Sequence, residues 1–161
     1  MYGVLSLRSH RVPSFGAFYR FLPAWLRRTA AIGALGAILT VMAEDPGVRV
    51  PVIMYHAVMD DASRLGKYVI SPEELESDFK WLSENGYTAI LSEDLINYTE
   101  NGGALPEKPI LLTFDDGYYN NYLYAYPTAK RYGMKFVLSP IGKYADLYTE
   151  TPDKSPYYAH C

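Results

Sequence analysis

The chain has 161 residues, enough for one domain of ordinary size, and 49% of them are apolar while 20% are charged. Its formal net charge of −3 argues against a nucleic-acid partner, which normally requires a net basic surface, so we expect none. The single cysteine, Cys161, excludes an internal disulfide and a thiolate metal cluster. Nothing in these numbers indicates an oligomeric state.

The N-terminal segment is typical of an exported protein. Residues 1–29 form a basic leader with five arginines and no acidic residue. Residues 30–43 (AAIGALGAILTVMA) carry no charge, and their length fits the apolar region of a signal peptide better than a bilayer span of about 20 residues. The arginines predict a cytoplasmic N-terminus with the remainder exported, to the cell envelope or beyond. We expect residues 30–43 to be an apolar export helix, either cleaved or kept as a membrane anchor, and we place residues 1–43 outside the fold.

Residues 44–161 show strand and helix patterns in alternation. Residues 48–55 (VRVPVIMY) are a nearly continuous apolar run, typical of a strand buried on both faces. Ser71 begins a capping box with proline at the first helical position, and Gly86 ends the predicted helix. The later predicted elements are a strand at 87–91, helix at 92–100, strand at 109–114, helix at 118–132 and strand at 134–139. After Gly142 we expect a polar tail.

Strands that alternate with helices predict an α/β fold with a mainly parallel sheet or barrel. Four short apolar strands cannot close a barrel, which usually needs about 200 residues or more. An open sheet this small would also leave strands of the buried type at its edges. The pattern therefore indicates one part of a larger (β/α) architecture.

The motif Thr113-Phe114-Asp115-Asp116-Gly117 stands where a predicted buried strand ends. Ligands bind at the carboxyl ends of strands in α/β folds. Two adjacent carboxylates repel each other unless a divalent cation binds one and the other accepts a proton, so the pair favours a metal-assisted hydrolytic site. His56 follows the first strand and is expected on the same rim. The alternatives are a plain Asp-Gly turn and a hydrogen-bonded structural histidine.

Three other acidic motifs fit less well. Phosphatases of the haloacid dehalogenase type need two aspartates separated by one residue. A Walker B acid pair serves a phosphate loop, and the sequence contains no G-x-x-x-x-G-K-[ST] motif. A response-regulator acidic pair belongs to the first strand of its domain, whereas Asp115 and Asp116 follow the third.

From about Val50 onward the sequence resembles the polysaccharide deacetylases, which share the domain first described in nodulation deacetylases and form carbohydrate esterase family 4. The resemblance rests on four segments, in this order: PVIMYH, ENGY, LLTFDDGY and MKFVLSPIG. It implies a deformed (β/α) barrel that removes N-acetyl groups from an amino-sugar polysaccharide. It also implies that Asp115 is the general base that deprotonates a metal-bound water and that Asp116 ligates a divalent metal, most simply zinc. His56 matches a position near the active-site rim without a defined role.

The sequence also departs from the family pattern. The family completes its metal site with two histidines about one helical turn apart, downstream of the strand at 134–139, and this chain has only His10, His56 and His160. We therefore expect residues 44–161 to be a truncated deacetylase domain, with doubtful metal binding and no activity alone. Two alternatives stay open: a non-catalytic exported or membrane-tethered fragment, and a hydrolase of this fold that acts on another amide.

The substrate-binding residues, and the polysaccharide itself, cannot be assigned from the sequence. Among the 16 tyrosines, Tyr118, Tyr122 and Tyr126 share one face of a predicted helix, which favours packing over sugar binding.

Overall fold

A computed structural model describes residues 2–7, 47–157 and 159–160. Seven strands lie in these ranges: β1 Tyr2–Leu7, β2 Val48–Tyr55, β3 Ala57–Val58, β4 Val69–Ile70, β5 Thr88–Ile90, β6 Pro109–Asp116 and β7 Val137–Pro140. The helices are α1 Pro72–Glu84, α2 Ser92–Asn101, a π-helix Asn121–Ala125 that runs into α3 Tyr126–Tyr132, and α4 Gly142–Glu150, with a 3-10 turn at Ala62–Arg64.

Strand β6 is the centre of the main sheet. Strand β2 pairs with it in parallel along one edge, with Tyr55 opposite Phe114. Strands β5 and β7 pair in parallel with the other edge, near its beginning and its end respectively. The prediction of a mainly parallel sheet is therefore confirmed, whereas a closed barrel is not seen in the described residues.

Strand β6 presents apolar side chains to two separate cores because successive side chains of a strand point to opposite faces. Ile110, Leu112 and Phe114 lie in the larger core, together with residues of α1 and α3. Leu111 lies in the smaller core on the other face. Burial on both faces holds β6, and with it the carboxylates at its end, in a fixed position.

Helix α1 is built as its sequence predicts. The Ser71 side chain accepts a hydrogen bond from the backbone N–H of Glu74 (3.1 Å), and the helix buries Leu75, Phe79 and Leu82. On its outer face Glu76 accepts hydrogen bonds from the Tyr132 hydroxyl and the Arg131 guanidinium of α3. The Tyr132 hydrogen bond, and then that of Arg131, lower the pKa of Glu76. These contacts tie α1 to α3 at the surface.

The structure differs from the sequence expectations in three segments. Residues 2–7 were placed in the leader, outside the fold, but they pair antiparallel with β2 at the edge of the sheet. Residues 142–150 form α4 instead of a polar tail without regular structure. The predicted helix at 118–132 is present from Tyr119 onward, but residues 121–125 form a π-helix instead of an α-helix. The bounds of β2 agree with prediction, and β6 runs two residues further than predicted, through Asp116.

The predicted export helix at residues 30–43 lies outside the described residues. Within the part of the chain that the structure describes, no helix is both long and apolar enough to cross a bilayer.

Candidate functional site

Asp115 and Asp116 are the last two residues of β6, at the carboxyl end of the central strand. Asp116 has a positive φ of 68°, and Gly117 follows with φ of 70°. A non-glycine residue in this left-handed region carries backbone strain of about 1–3 kcal/mol, and such strain concentrates at functional sites. The turn lets the chain leave β6 sharply, so the Asp116 side chain reaches a cleft beside the sheet.

That cleft joins two of the predicted site residues. Its volume is about 500 Å³, and its lining includes His56, Asp116 and Tyr118. The basic residues Arg64 and Lys67 also line this cleft. Asp116 is thus a half-buried carboxylate that faces a cleft also lined by two basic residues.

His56 stands between two clefts. Its ring packs against Tyr68 at a centroid distance of 4.9 Å. It also lines a second cleft of about 410 Å³ that includes Glu74 and Asp78. There the Tyr55 hydroxyl donates a hydrogen bond to the Asp78 carboxylate (2.9 Å). His56 therefore lies on the rim where the sequence placed it, within reach of both cavities.

The Asp115 side chain does not line the cleft that Asp116 faces. It is half-buried, and it stands opposite Ser139 of β7 in the sheet register. It is not part of the lining of the 500 Å³ cleft. The structure therefore brings Asp116 and His56 together in one cleft and leaves Asp115 outside its lining, because successive side chains of a strand point to opposite faces.

The Asn120 side chain links the segment after β6 to the C-terminal segment through hydrogen bonds. It is fully buried, and its side-chain oxygen accepts a hydrogen bond from the backbone N–H of Val58 (3.1 Å). Its amide nitrogen donates to the carbonyl oxygen of Tyr157 (2.7 Å). A buried amide with both ends paired fixes the chain on either side of it. The segment that follows Asp116 is therefore held in place by hydrogen bonds to two other parts of the chain.

His160 contacts the end of β6, which the sequence did not predict. Its Nδ1 lies 2.8 Å from the backbone carbonyl oxygen of Asp116, and its ring packs on Tyr118 and Tyr144 at centroid distances of 4.7 and 4.4 Å. Because a carbonyl can only accept, Nδ1 must carry the proton, which leaves Nε2 as the acceptor in the neutral ring. The contact spans 44 residues of sequence, so no local pattern could have indicated it.

The described residues do not fit a complete metal centre. A catalytic zinc site takes about three protein ligands. Asp116 and His56 line one cleft, but no group of three His, Cys, Asp or Glu side chains within the described ranges is placed to hold a metal ion. A metal at this edge needs further ligands from outside those ranges.

Comparisons with known sequences agree on one family. Residues 102–155 match the family model described as polysaccharide deacetylase. YxkH of Bacillus subtilis, whose name assigns it provisionally to the polysaccharide deacetylases, is 36% identical over 103 residues, which are 64% of this chain and 35% of that protein. The poly-β-1,6-N-acetyl-D-glucosamine N-deacetylase of Escherichia coli K12 is 33% identical over 94 residues, 58% of this chain and 14% of that protein. The chain thus spans about a third or less of the length of these relatives.

Solved structures show the same likeness. A de-N-acetylase from Aggregatibacter actinomycetemcomitans superimposes with a TM-score of 0.53 and 37% identity, over 65% of this chain and 40% of that one. A Streptococcus pyogenes deacetylase, solved in complex with acetate, has a TM-score of 0.57 and 24% identity, over 62% of this chain and 46% of that one. At 24% identity the second likeness supports the fold alone.

Proposed function

We propose that this chain, whose residues 102–155 match the polysaccharide deacetylase family model, supplies one side of an active site that removes N-acetyl groups from an amino-sugar polymer. The observation that carries the proposal is the placement of two adjacent carboxylates at the end of β6, with Asp116 facing the cleft that His56 also lines. The related E. coli protein is named for activity on poly-β-1,6-N-acetyl-D-glucosamine. We extend that substrate class, though not that one polymer, to this chain.

The proposed reaction is hydrolysis of an acetamide. A water oxygen attacks the carbonyl carbon of the N-acetyl group, and Asp115 accepts the proton that the water loses. The carbon–nitrogen bond then breaks, the sugar nitrogen takes up a proton, and the products are acetate and an amine. In this scheme Asp115 is the general base, Asp116 would help to hold a divalent metal such as zinc, and His56 lies at the rim. The metal, when bound, would polarise the acetamide carbonyl.

We propose further that the site needs residues beyond those described. Both polar atoms of the buried Asn121 side chain lack a hydrogen-bond partner among the described residues. Each such group costs about 1–3 kcal/mol, which a polar partner from another part of a larger (β/α) barrel would remove. The incomplete set of metal ligands also indicates that further residues are needed. The same incomplete set favours a second candidate function, that of a non-catalytic glycan-binding chain.

Acetate release tests the proposed function. We would replace the aligned 94 residues of the E. coli deacetylase by those of this chain, so that the E. coli protein supplies the remainder of the site. We expect the chimera to release acetate from oligomers of β-1,6-linked N-acetylglucosamine. A folded chimera without activity would contradict the proposal, and a graft of residues 109–121 alone replaces the chimera if the larger one does not fold. Acetate release by the 161-residue chain alone would instead contradict its proposed incompleteness.

Export of the chain is a further proposal. An anchored form of the exported chain is incompatible with the position of strand β1 in the sheet. If residues 30–43 anchored the chain with a cytoplasmic N-terminus, residues 2–7 would lie across the membrane from the sheet. Their pairing with β2 requires both segments on the same side. We therefore propose that export and formation of β1 exclude each other in one molecule.

A further inference from the structure

Two tyrosines of the π-helix and α3 stand in solvent, although their helical spacing favoured packing. Tyr122 is 60% exposed and Tyr126 is 49% exposed. Their rings are stacked on one another, parallel to within 9° with centroids 6.1 Å apart, and the Lys130 ammonium nitrogen lies 5.6 Å from the Tyr126 ring centroid. Single exposed aromatic residues are common on protein surfaces, but several exposed rings close together form an apolar patch that favours a ligand with an apolar face.

The aromatic patch continues into a cleft. Tyr119 lies 5.8 Å from Tyr122 and 6.4 Å from Tyr148 of α4, measured between ring centroids. Tyr119, Tyr122 and Tyr148 line a cleft of about 380 Å³, and its fourth lining residue is Lys154. Three phenol rings thus offer apolar faces and hydroxyls, while one ammonium group offers hydrogen-bond donors.

From this cleft the aromatic surface leads back to Asp116. Tyr148 also lines the next cleft, of about 340 Å³, together with Tyr144 and His160. The His160 ring stacks on Tyr144 and contacts Tyr118, which lines the same cleft as Asp116. We call this surface the tyrosine track, and it consists of Tyr118, Tyr144, Tyr148, Tyr119, Tyr122 and Tyr126.

We propose that the tyrosine track binds the amino-sugar polymer beyond the unit that reacts, and so holds successive units in line with Asp116. A pyranose ring of this class has a flat C–H face that stacks on an aromatic ring, and polar groups at its rim that bond to hydroxyl and ammonium donors. Lys154 is placed to donate to an acetamide carbonyl. Single-stranded nucleic acid also stacks on aromatic residues, but the net charge of −3 disfavours it. This inference rests on the proposed substrate class.

Calorimetric titration of the full chain with a six-unit oligomer of β-1,6-linked N-acetylglucosamine tests the track. We expect Tyr122→Ala and Tyr148→Ala each to weaken binding by about 2- to 10-fold, the contribution typical of one aromatic contact. Tyr122→Phe keeps the ring and should retain most of the affinity. Trp81→Ala is the matched control, since Trp81 is 55% exposed on α1 and pairs with Tyr87 outside the track.

Three outcomes would overturn the inference: no binding by the unmodified chain, equal losses from Tyr122→Ala and Trp81→Ala, or binding lost only in Asp116→Ala. Asp115→Asn separates this inference from the proposed function, because it removes the base without touching the track. Oligomer binding that survives Asp115→Asn supports the track whether or not acetate is released.

Discussion

Replacing Phe114 by alanine is expected to lower the free energy of unfolding by about 3–5 kcal/mol. The side chain is fully buried, and it packs between Tyr55 and Phe136 at ring-centroid distances of 5.0 and 4.6 Å. Truncation removes both aromatic contacts and leaves a cavity in the larger core. Urea denaturation followed by circular dichroism would show a lower midpoint with an unchanged slope.

The neighbouring Leu138 provides the control for this experiment. It is opposite Phe114 in the sheet register but is 41% exposed, so Leu138→Ala should cost much less. Equal losses for the two variants, or a loss below about 1 kcal/mol for Phe114→Ala, would mean that β6 is not the centre of the core. Because the carboxylates follow Phe114 directly, the same result would weaken the description of the site.

Asp115→Asn in the chimera is expected to lower acetate release by about 10²- to 10⁴-fold, the usual contribution of a general base. The amide has nearly the same shape as the carboxylate but cannot take the proton from water. Initial rates at saturating oligomer concentration would measure the loss. The thermal unfolding midpoint should stay close to that of the parent chimera, since the side chain is only half-buried.

Glu107→Gln is the matched control, because it also converts an acid to its amide, on an exposed residue in the loop before β6. It should leave the rate unchanged. If Asp115→Asn has as little effect as Glu107→Gln, the proposed role of Asp115 as base is wrong, even though the sequence likeness to polysaccharide deacetylases would stand.

The sequence predicted those elements whose cause is local or periodic. The continuous apolar run of β2 and the capping box of α1 appear at the expected bounds, because burial on both faces and a side-chain cap leave direct patterns in the sequence. Helix α4 was missed because it buries none of its residues, so no apolar stripe marks it. Strand β1 was missed because its partner β2 lies about 40 residues away in sequence, beyond a segment with the composition of a leader.

The same distinction between local and tertiary causes applies to the candidate site. Adjacent carboxylates at the end of an apolar strand are visible in the sequence, and so is a histidine after another strand. The positive φ of Asp116 and the contact of His160 with its carbonyl depend on tertiary structure, as does the exposure of Tyr122. Helical spacing alone does not say whether an aromatic face is buried or open to solvent.

We propose that the described residues carry the carboxylates of a deacetylase site without its full set of metal ligands. This proposal is tested by calorimetric titration with zinc of the full chain and, in parallel, of its Asp116→Ala variant. We predict no binding, or weak binding that Asp116→Ala leaves unchanged, because about three protein ligands are needed for a stable catalytic zinc site. Tight one-to-one binding that Asp116→Ala abolishes would contradict the proposal, and would direct the search for further ligands to His56, His160 or a second copy of the chain.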